Sequence, residues 1–284
     1  MEEKRQLTEL QIKILQMMKW FHQFCVENDI AYYMVGGTML GAARHQGFIP
    51  WDDDIDVGVP RKHYDKLIML GKSIDSENNK FRIESHYDGN DDYEYPYAKI
   101  YDTTTTLIEN KRKHPKRGVY IDVFPLDGIG DSLNSALNNY KPILLKLDLL
   151  NAKICDVREG RSRLKNTAVR IAGLIPDCIY NPRRLIKQLD RLCSERDFYD
   201  SRYVGNLVGN WGKKEIMPFS AFGTPTLYSF EDLELYGVED YEQYLSYLYG
   251  EWRELPPIDK QKSHHDFEEI NLSKSYLEKT WLDE

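Results

Sequence analysis

Two stretches decide how this chain is read: Val35-Gly36-Gly37-Thr38-Met39-Leu40-Gly41-Ala42-Ala43-Arg44 and, after a short loop, Trp51-Asp52-Asp53-Asp54-Ile55-Asp56-Val57-Gly58-Val59. The apolar run Tyr32-Tyr33-Met34-Val35 predicts a short strand, Gly36-Gly37 a tight turn, and the Ala, Met and Leu content from Thr38 to Arg44 a helix. Phe48-Ile49-Pro50-Trp51 reads as a loop, and the alternation from Asp54 to Val59 as a second strand that Pro60 stops. On that strand Asp54 and Asp56 stand two residues apart, so their carboxylates project from one face while Ile55 and Val57 enter the other. Two anions held side by side repel unless a cation sits between them, and hard carboxylate oxygens at this spacing suit Mg²⁺ or Mn²⁺. The glycine pair before a helix start offers backbone N–H groups and the positive helix end to a phosphate.

Outward from there, Leu7, Leu10, Ile14, Met17, Phe21 and Phe24 recur at helical spacing, and Thr8 with Gln11 has the form of a capping box, predicting a helix over 8–28. A further helix is expected over 61–70, and strands over 81–84, 96–101, 105–109 and 119–124. The last of these carries Asp122 between Ile121 and Val123. If it lies beside the first pair, three carboxylates can bridge two metals ~4 Å apart, the arrangement used for in-line phosphoryl displacement. From Leu133 to about residue 196 the pattern is helical, with breaks near Gly160, Gly173-Leu174-Ile175-Pro176 and Asn181-Pro182. The C-terminal third reads as Tyr-rich and irregular. The fold class that follows is α/β (α+β): a mixed sheet with flanking helices and an added helical lobe. Its expected parts are a catalytic core over 1–130, a basic helical lobe over 131–200 and a segment over 201–284 that completes the substrate cleft.

Composition bounds the rest. Of 284 residues 41% are apolar and 30% charged, which describes a folded chain, and 38 basic against 46 acidic side chains give −8. That balance argues against general nucleic-acid binding, which rests on neutralising many phosphates. The charge is uneven, because residues 141–191 hold twelve Lys/Arg and five Asp/Glu. Such a basic block either lies in the headgroup layer of an anionic membrane or forms a helical lobe whose apolar face packs internally. Met1-Glu2-Glu3-Lys4-Arg5 lacks a signal-peptide apolar core and no 18 consecutive apolar residues occur, so a cytoplasmic location is expected. Cys25, Cys155, Cys178 and Cys193 form no C-x-x-C pair and are expected as four buried thiols.

Gly-Gly, then Asp-x-Asp on a strand, then apolar-Asp-apolar on a later strand is the nucleotidyltransferase-fold pattern. The run from Val35 to Asp56, with its Gly41-Ala42-Ala43-Arg44-His45-Gln46-Gly47-Phe48-Ile49-Pro50-Trp51-Asp52-Asp53-Asp54 centre, resembles the signature of the LicD family, which is related to the fukutin proteins. Tyr120-Ile121-Asp122-Val123-Phe124-Pro125-Leu126-Asp127-Gly128, Tyr249-Gly250 with Leu255-Pro256-Pro257, and His264-His265 fit in the same order. The resemblance covers most of the chain, the basic block least specifically, and Ala43 departs from it where a branched apolar residue is expected. It implies transfer of phosphocholine, or a similar phospho-alcohol, from CDP-choline or another CDP-alcohol. The acceptor would be a hydroxyl of a cell-surface glycan or its lipid-linked precursor, CMP would be released, and two Mg²⁺ or Mn²⁺ ions would assist.

Carried over by position, Asp54 and Asp56 would hold the metals, and Asp122 would complete their shell or take the proton from the acceptor hydroxyl. Gly36, Gly37 and Thr38 would approach the diphosphate. Asp52 and Asp53 would support the ligands or anchor the loop. Arg44 would neutralise charge on the transferred phosphate or serve only as a dipole partner at its helix end. Lys99 reads as a phosphate contact or as a solvated strand residue. His264 and His265 are adjacent and cannot both reach one site without a bend; no Cys or acidic partner has zinc-ligand spacing, and the resemblance makes one of them a substrate-side donor. Twenty Tyr and five Trp supply stacking faces, some able to cage a quaternary ammonium. Two other readings stay open. One is nucleotide transfer to a small alcohol or antibiotic, releasing pyrophosphate. The other is a catalytically silent glycan- or nucleotide-binding protein, whose sign would be loss of one of the three carboxylates.

Overall fold

Thr8 starts the first helix as its sequence predicts: its Oγ1 accepts from Gln11 N at 3.1 Å while Gln11 Oε1 accepts from Thr8 N at 3.1 Å. That helix, α1 (Glu9–Glu27), buries Ile14, Met17, Met18, Phe21 and Cys25. In the computed structural model the chain is described over residues 6–74, 79–89, 93–157, 162–263, 265 and 267–278; Arg158, Gly160 and Arg161 of the basic block and His264 lie outside these. After α1 come β1 (Tyr33–Met34), α2 (Gly36–His45), β2 (Asp56–Pro60), α3 (Arg61–Gly71), β3 (Phe81–Glu84), β4 (Ala98–Asp102), β5 (Thr106–Glu109), β6 (Lys116–Arg117) and β7 (Tyr120–Gly130). Three helices follow, α4 (Leu133–Ile154), α5 (Arg163–Leu174) and α6 (Pro182–Cys193). The chain then forms β8 (Tyr203–Asn206), β9 (Met217–Pro218), α7 (Phe219–Phe222), β10 (Thr226–Phe230), β11 (Leu233–Gly237), α8 (Tyr241–Tyr249) and β12 (Phe267–Asn271).

The architecture is a mixed sheet flanked by helices, with strand order β10-β11-β1-β2-β7-β4-β3 and with β8 and β9 joined to the far half of β7. β7 is the spine. It pairs with β2 in parallel and with β4 and β8 antiparallel, and is buried along almost its whole length. Strands covered on both faces read as continuous apolar runs, and Val119 to Leu126 does so apart from Asp122. A small second sheet, β12-β5-β6, stands beside it. Among the described residues no helix is long and apolar enough to cross a membrane.

Three expectations are corrected. The ladder starts at Asp56, so Asp54 precedes the strand; Gln11 Nε2 donates to Asp52 O at 2.7 Å, supplying from α1 the partner a neighbouring strand would give. The supposedly irregular C-terminal third forms regular elements, including the β10–β11 hairpin. Its period of two is hidden because Thr226 and Tyr228 are half-buried while Leu227 faces solvent. Of the four thiols only Cys25 and Cys193 are buried, Cys178 being exposed and Cys155 half-buried.

The helical lobe is locked to the sheet by a buried charge cluster. Arg61, at the start of α3, donates from Nε to Asp127 Oδ1 at 2.8 Å, from Nη2 to Asp127 Oδ2 at 2.6 Å and from Nη1 to Asp190 Oδ1 at 2.8 Å. One guanidinium thus joins α3, β7 and α6. Removing it leaves Asp127 buried without its cation, so Arg61→Ala is expected to lower unfolding free energy by ~3–5 kcal/mol. Urea denaturation checks this, and a loss near zero would show that the cluster does not hold the lobe.

Candidate active site

Sheet register assembles the site. Asp56 lies opposite Asp122 in the β2–β7 ladder, and Asp122 lies opposite Lys99 in the β4–β7 ladder, so three side chains form one row across three strands. A slip of one residue would turn a strand's side chain away from this row. Burial, with Asp54, Asp122 and Asp52 close by, holds the Asp56 carboxyl well above the usual carboxylate range. Asp52 is pushed up to about 8 by burial and by Asp54, with which it shares a hydrogen bond. Asp122 is also raised by burial, against the opposing pull of Lys99.

Lys99 is not the solvated strand residue of one sequence reading: it is 1% exposed. Its Nζ sits 2.8 Å from Asp122 Oδ1, 3.3 Å from Glu109 Oε1 and 3.2 Å from the centre of the Tyr120 ring, with the Tyr95 ring at 4.5 Å. An aromatic cage of the kind that suits an ammonium therefore exists, and it holds the protein's own lysine. Tyr95 OH donates to Glu109, and Lys111 Nζ lies 3.0 Å from Glu109 Oε2. Burial would raise the Glu109 carboxyl, but Lys99 and Lys111 hold it well below the usual range. A cavity of about 470 Å³ opens on this group, lined by Tyr97, Lys99, Tyr120, Asp122, His265 and the α4 face that carries Leu144 and Asn151. That volume is typical of small-molecule sites.

The antiparallel pairing of β12 on β5 carries His265 to the opposite wall. Its Nδ1 is 2.8 Å from Asp53 Oδ1 and its Nε2 3.4 Å from Asp54 Oδ2, and its ring stacks on Phe267. Burial opposes a charged imidazole, yet Asp53, Asp54 and Asp122 outweigh it and the pKa rises to about 9. Burial would likewise raise Asp53, but hydrogen bonds from His265 and Ser263 hold it below its ordinary value. No Cys or acidic residue stands at zinc-ligand spacing from His265 along the sequence, but the fold brings two to it: Asp53, Asp54 and His265 each offer an atom within 4.8 Å of the others.

The remaining expected residues frame the carboxylates. Gly36 has φ +56°, and a Cβ there would stand 3.5 Å from Asp56 Oδ2; a Cβ on Gly37 would stand 3.0 Å from Asp52 Oδ2. The first turn of α2 thus faces the acidic group with bare backbone. Thr38 Oγ1 accepts from Asp56 N at 2.8 Å, fixing the strand start. Arg44 donates from Nη1 to Trp252 O at 2.8 Å and to Glu254 O at 3.3 Å, anchoring the segment after α8. Sequence reading missed Glu109, Tyr95, Tyr120 and Tyr244, whose OH accepts from Gly36 N at 2.9 Å, and the buried Glu215, pushed up to about 8 by burial. Only an acid inside an apolar strand, as in Thr106-Leu107-Ile108-Glu109, offered a signal.

The donor set fits a hard divalent cation. Asp52, Asp54, Asp56 and Asp122 repel one another in a buried place, and their carboxylate oxygens are hard ligands. The model of the LicD/FKTN/FKRP nucleotidyltransferase domain matches residues 29–135, which hold all four of these carboxylates. The chain carries a LicD-family nucleotidyltransferase-like domain. It is 28% identical over 265 residues to the lipopolysaccharide cholinephosphotransferase LicD of Haemophilus influenzae, covering 92% of this chain and 97% of that protein. Over shorter spans it is 26% identical to mannosyltransferase regulator 4 of Saccharomyces cerevisiae, covering 46% of this chain and 11% of that one. A 30-residue stretch, 11% of this chain and 6% of the relative, is 53% identical to the human ribitol 5-phosphate transferase FKRP.

The raised acids set a pH dependence. Asp52 ionises near 4 when unfolded and about 8 when folded, so between those values the folded state binds the extra proton. Stability from this group is full below pH 4 and is lost as pH rises through 8. His265, raised from 6.5 to about 9, acts with the same sign between those values. The metal-free protein should therefore melt at progressively lower temperature from pH 5.5 to 8.5. Asp52→Asn should flatten the fall, and Mg²⁺ or Mn²⁺ at pH 8 should recover part of it. A melting temperature independent of pH over that range would contradict the mutual repulsion.

Proposed function

We propose that this protein transfers phosphocholine, or a closely similar phospho-alcohol, from CDP-choline or another CDP-alcohol to a hydroxyl of a cell-surface glycan or its lipid-linked precursor, releasing CMP. The observation that carries the reading is the gathering of Asp54, Asp56 and Asp122 beside the bare first turn of α2, with Asp122 also lining the cavity of about 470 Å³. Similarity along nearly the whole chain to a protein named a lipopolysaccharide cholinephosphotransferase supports phosphocholine as the transferred group. In this reading residues 1–130 supply the catalytic core, 131–200 the helical lobe and 201–284 the wall that completes the cleft.

The acceptor oxygen forms a bond to the β-phosphorus, the one bearing choline, and the bond from that phosphorus to the CMP oxygen breaks. The acceptor proton passes to a carboxylate, for which buried Asp122, raised above its ordinary range, is suited. Lys99 keeps Asp122 fixed at 2.8 Å and is a positioning residue rather than a phosphate contact, since its ammonium is enclosed by Tyr120, Tyr95 and Glu109. Gly37 and Thr38 present backbone to the diphosphate, while the N–H of Gly36 is engaged by Tyr244 OH. His265, held charged by Asp53, is the substrate-side donor through Nε2. Asp54 and Asp56, with Asp122 beside them, would hold Mg²⁺ or Mn²⁺, which supplies charge stabilisation to the transferred and leaving oxygens.

Incubation of the full chain with Mg²⁺, a glycan acceptor and a panel of CDP-choline, CDP-ethanolamine, CDP-glycerol and CDP-ribitol tests the reading. CMP should form with a CDP-alcohol, CDP-choline first among them. Pyrophosphate from a nucleoside triphosphate instead would make the protein a nucleotidyltransferase, and no turnover with any donor would leave it a binding protein. Asp54→Asn and Asp56→Asn should each lower kcat roughly 10³-fold or more while the protein stays folded. Asp122→Asn should lose turnover yet keep donor binding.

A further inference from the structure

Helix α5 turns large aliphatic side chains to solvent. Its buried residues are Val169 and Ala172, whereas Leu164 is 85%, Ile171 57% and Leu174 84% exposed. At helical spacing Leu164, Ala168 and Ile171 form one stripe with Leu174 at its edge; Arg163 and Arg170 fall on one flank and Lys165 on the other. The turn that follows adds Ile179, 76% exposed, and α4 adds Leu145, 61% exposed. The apolar faces of α4 and α6 pack internally, as one of the two sequence readings of the basic block has it, whereas these residues stay uncovered.

Cations gather beside the Ile179 turn. Arg183, Arg184, Lys187 and Arg191 line an open groove of about 700 Å³ along α6, bordered by Ile179. This is the basic part of a chain whose overall charge is −8, so an anionic surface is attracted here and repelled elsewhere. The face is also mounted on the wall of the cavity. Arg112 donates from Nη2 to Val169 O in α5 at 2.8 Å and from Nε to Lys153 O in α4 at 3.0 Å, and its neighbour Lys111 lines the cavity.

We propose that α5, the Ile179 turn and the basic face of α6 form an in-plane docking surface for an anionic lipid bilayer, with the aliphatic stripe in the acyl boundary and the cations among the headgroups. The inference stands apart from the catalytic reading, because none of these residues acts in it. The full chain is sedimented with vesicles of mixed phosphatidylglycerol and phosphatidylcholine and with vesicles of phosphatidylcholine alone, at low and high salt. Binding should favour the anionic vesicles and fall with salt. Arg170→Gln and Lys187→Gln should each weaken it roughly fivefold. Leu164→Glu with Leu174→Glu should abolish it with an unchanged melting temperature, since both side chains face solvent. Equal recovery in the supernatant with both vesicle types at low salt overturns the proposal, as does undiminished binding by the Leu164→Glu, Leu174→Glu variant. A wild-type dimer that this variant dissociates, without vesicle binding, would instead assign the face to a second copy of the chain.

Discussion

The placement of β7 between β2 and β4 is the constraint on which the site depends. Backbone ladders set side-chain position to a fraction of a strand spacing, and here they align Asp56, Asp122 and Lys99 in one row. Like charges would not hold together so deep in a sheet by their own interactions. Burying an uncompensated carboxylate costs several kcal/mol, and that cost is borne by the surrounding fold. The glycine turn of α2, the spine of β7 and the lobe behind it are together large enough to impose the arrangement.

Compensation runs unevenly along the row. At the Lys99 end, two carboxylates, two ammonium groups and the tyrosines of the cage nearly neutralise one another, and Glu109 stays charged. At the other end, Asp52, Asp54 and Asp56 face the first turn of α2, whose partial positive charge offsets only a fraction of a carboxylate. His265 answers Asp53 and lies near Asp54, leaving the Asp56 carboxyl raised by burial and by its acidic neighbours. The row is thus graded from a closed, self-satisfied ion cluster to an electron-rich end that gains most from added positive charge.

What could be read from the chain beforehand divides by sequence distance. The α1 cap, the helix that opens at the glycine pair and the Asp122 strand are local, each written within a few residues, and each is found in the structure, whereas Asp54 stands before the strand that carries Asp56. The site features that escaped are contacts at long range. His265 and Asp53 are 212 residues apart, and only the pairing of β12 with β5 brings them together. Lys99 read as solvated because a lysine between apolar residues normally points outward, and nothing local announces that Glu109 and Asp122 wait on the same face. The β10–β11 hairpin was hidden for another reason: tyrosine and threonine fill its inner face, so polarity no longer tracks burial.

The lobe follows a different economy of contacts from the sheet. Its attachment is concentrated in α4, which packs on β7, and in the Arg61 cluster, which ties α6 to α3 and β7. With the fold secured there, α5 contributes little buried surface, and its two inward residues suffice to seat it on α4. A helix so seated is free to carry aliphatic side chains outward, because its own folding does not require them to be covered. Arg112 then limits that freedom from the other side, bonding the carbonyls of Lys153, Cys155 and Val169 from the segment that also forms the cavity wall. The outward face of α5 and the inner face of the cavity are therefore tied through Arg112, whose chain neighbour Lys111 reaches Glu109 at the end of the charged row.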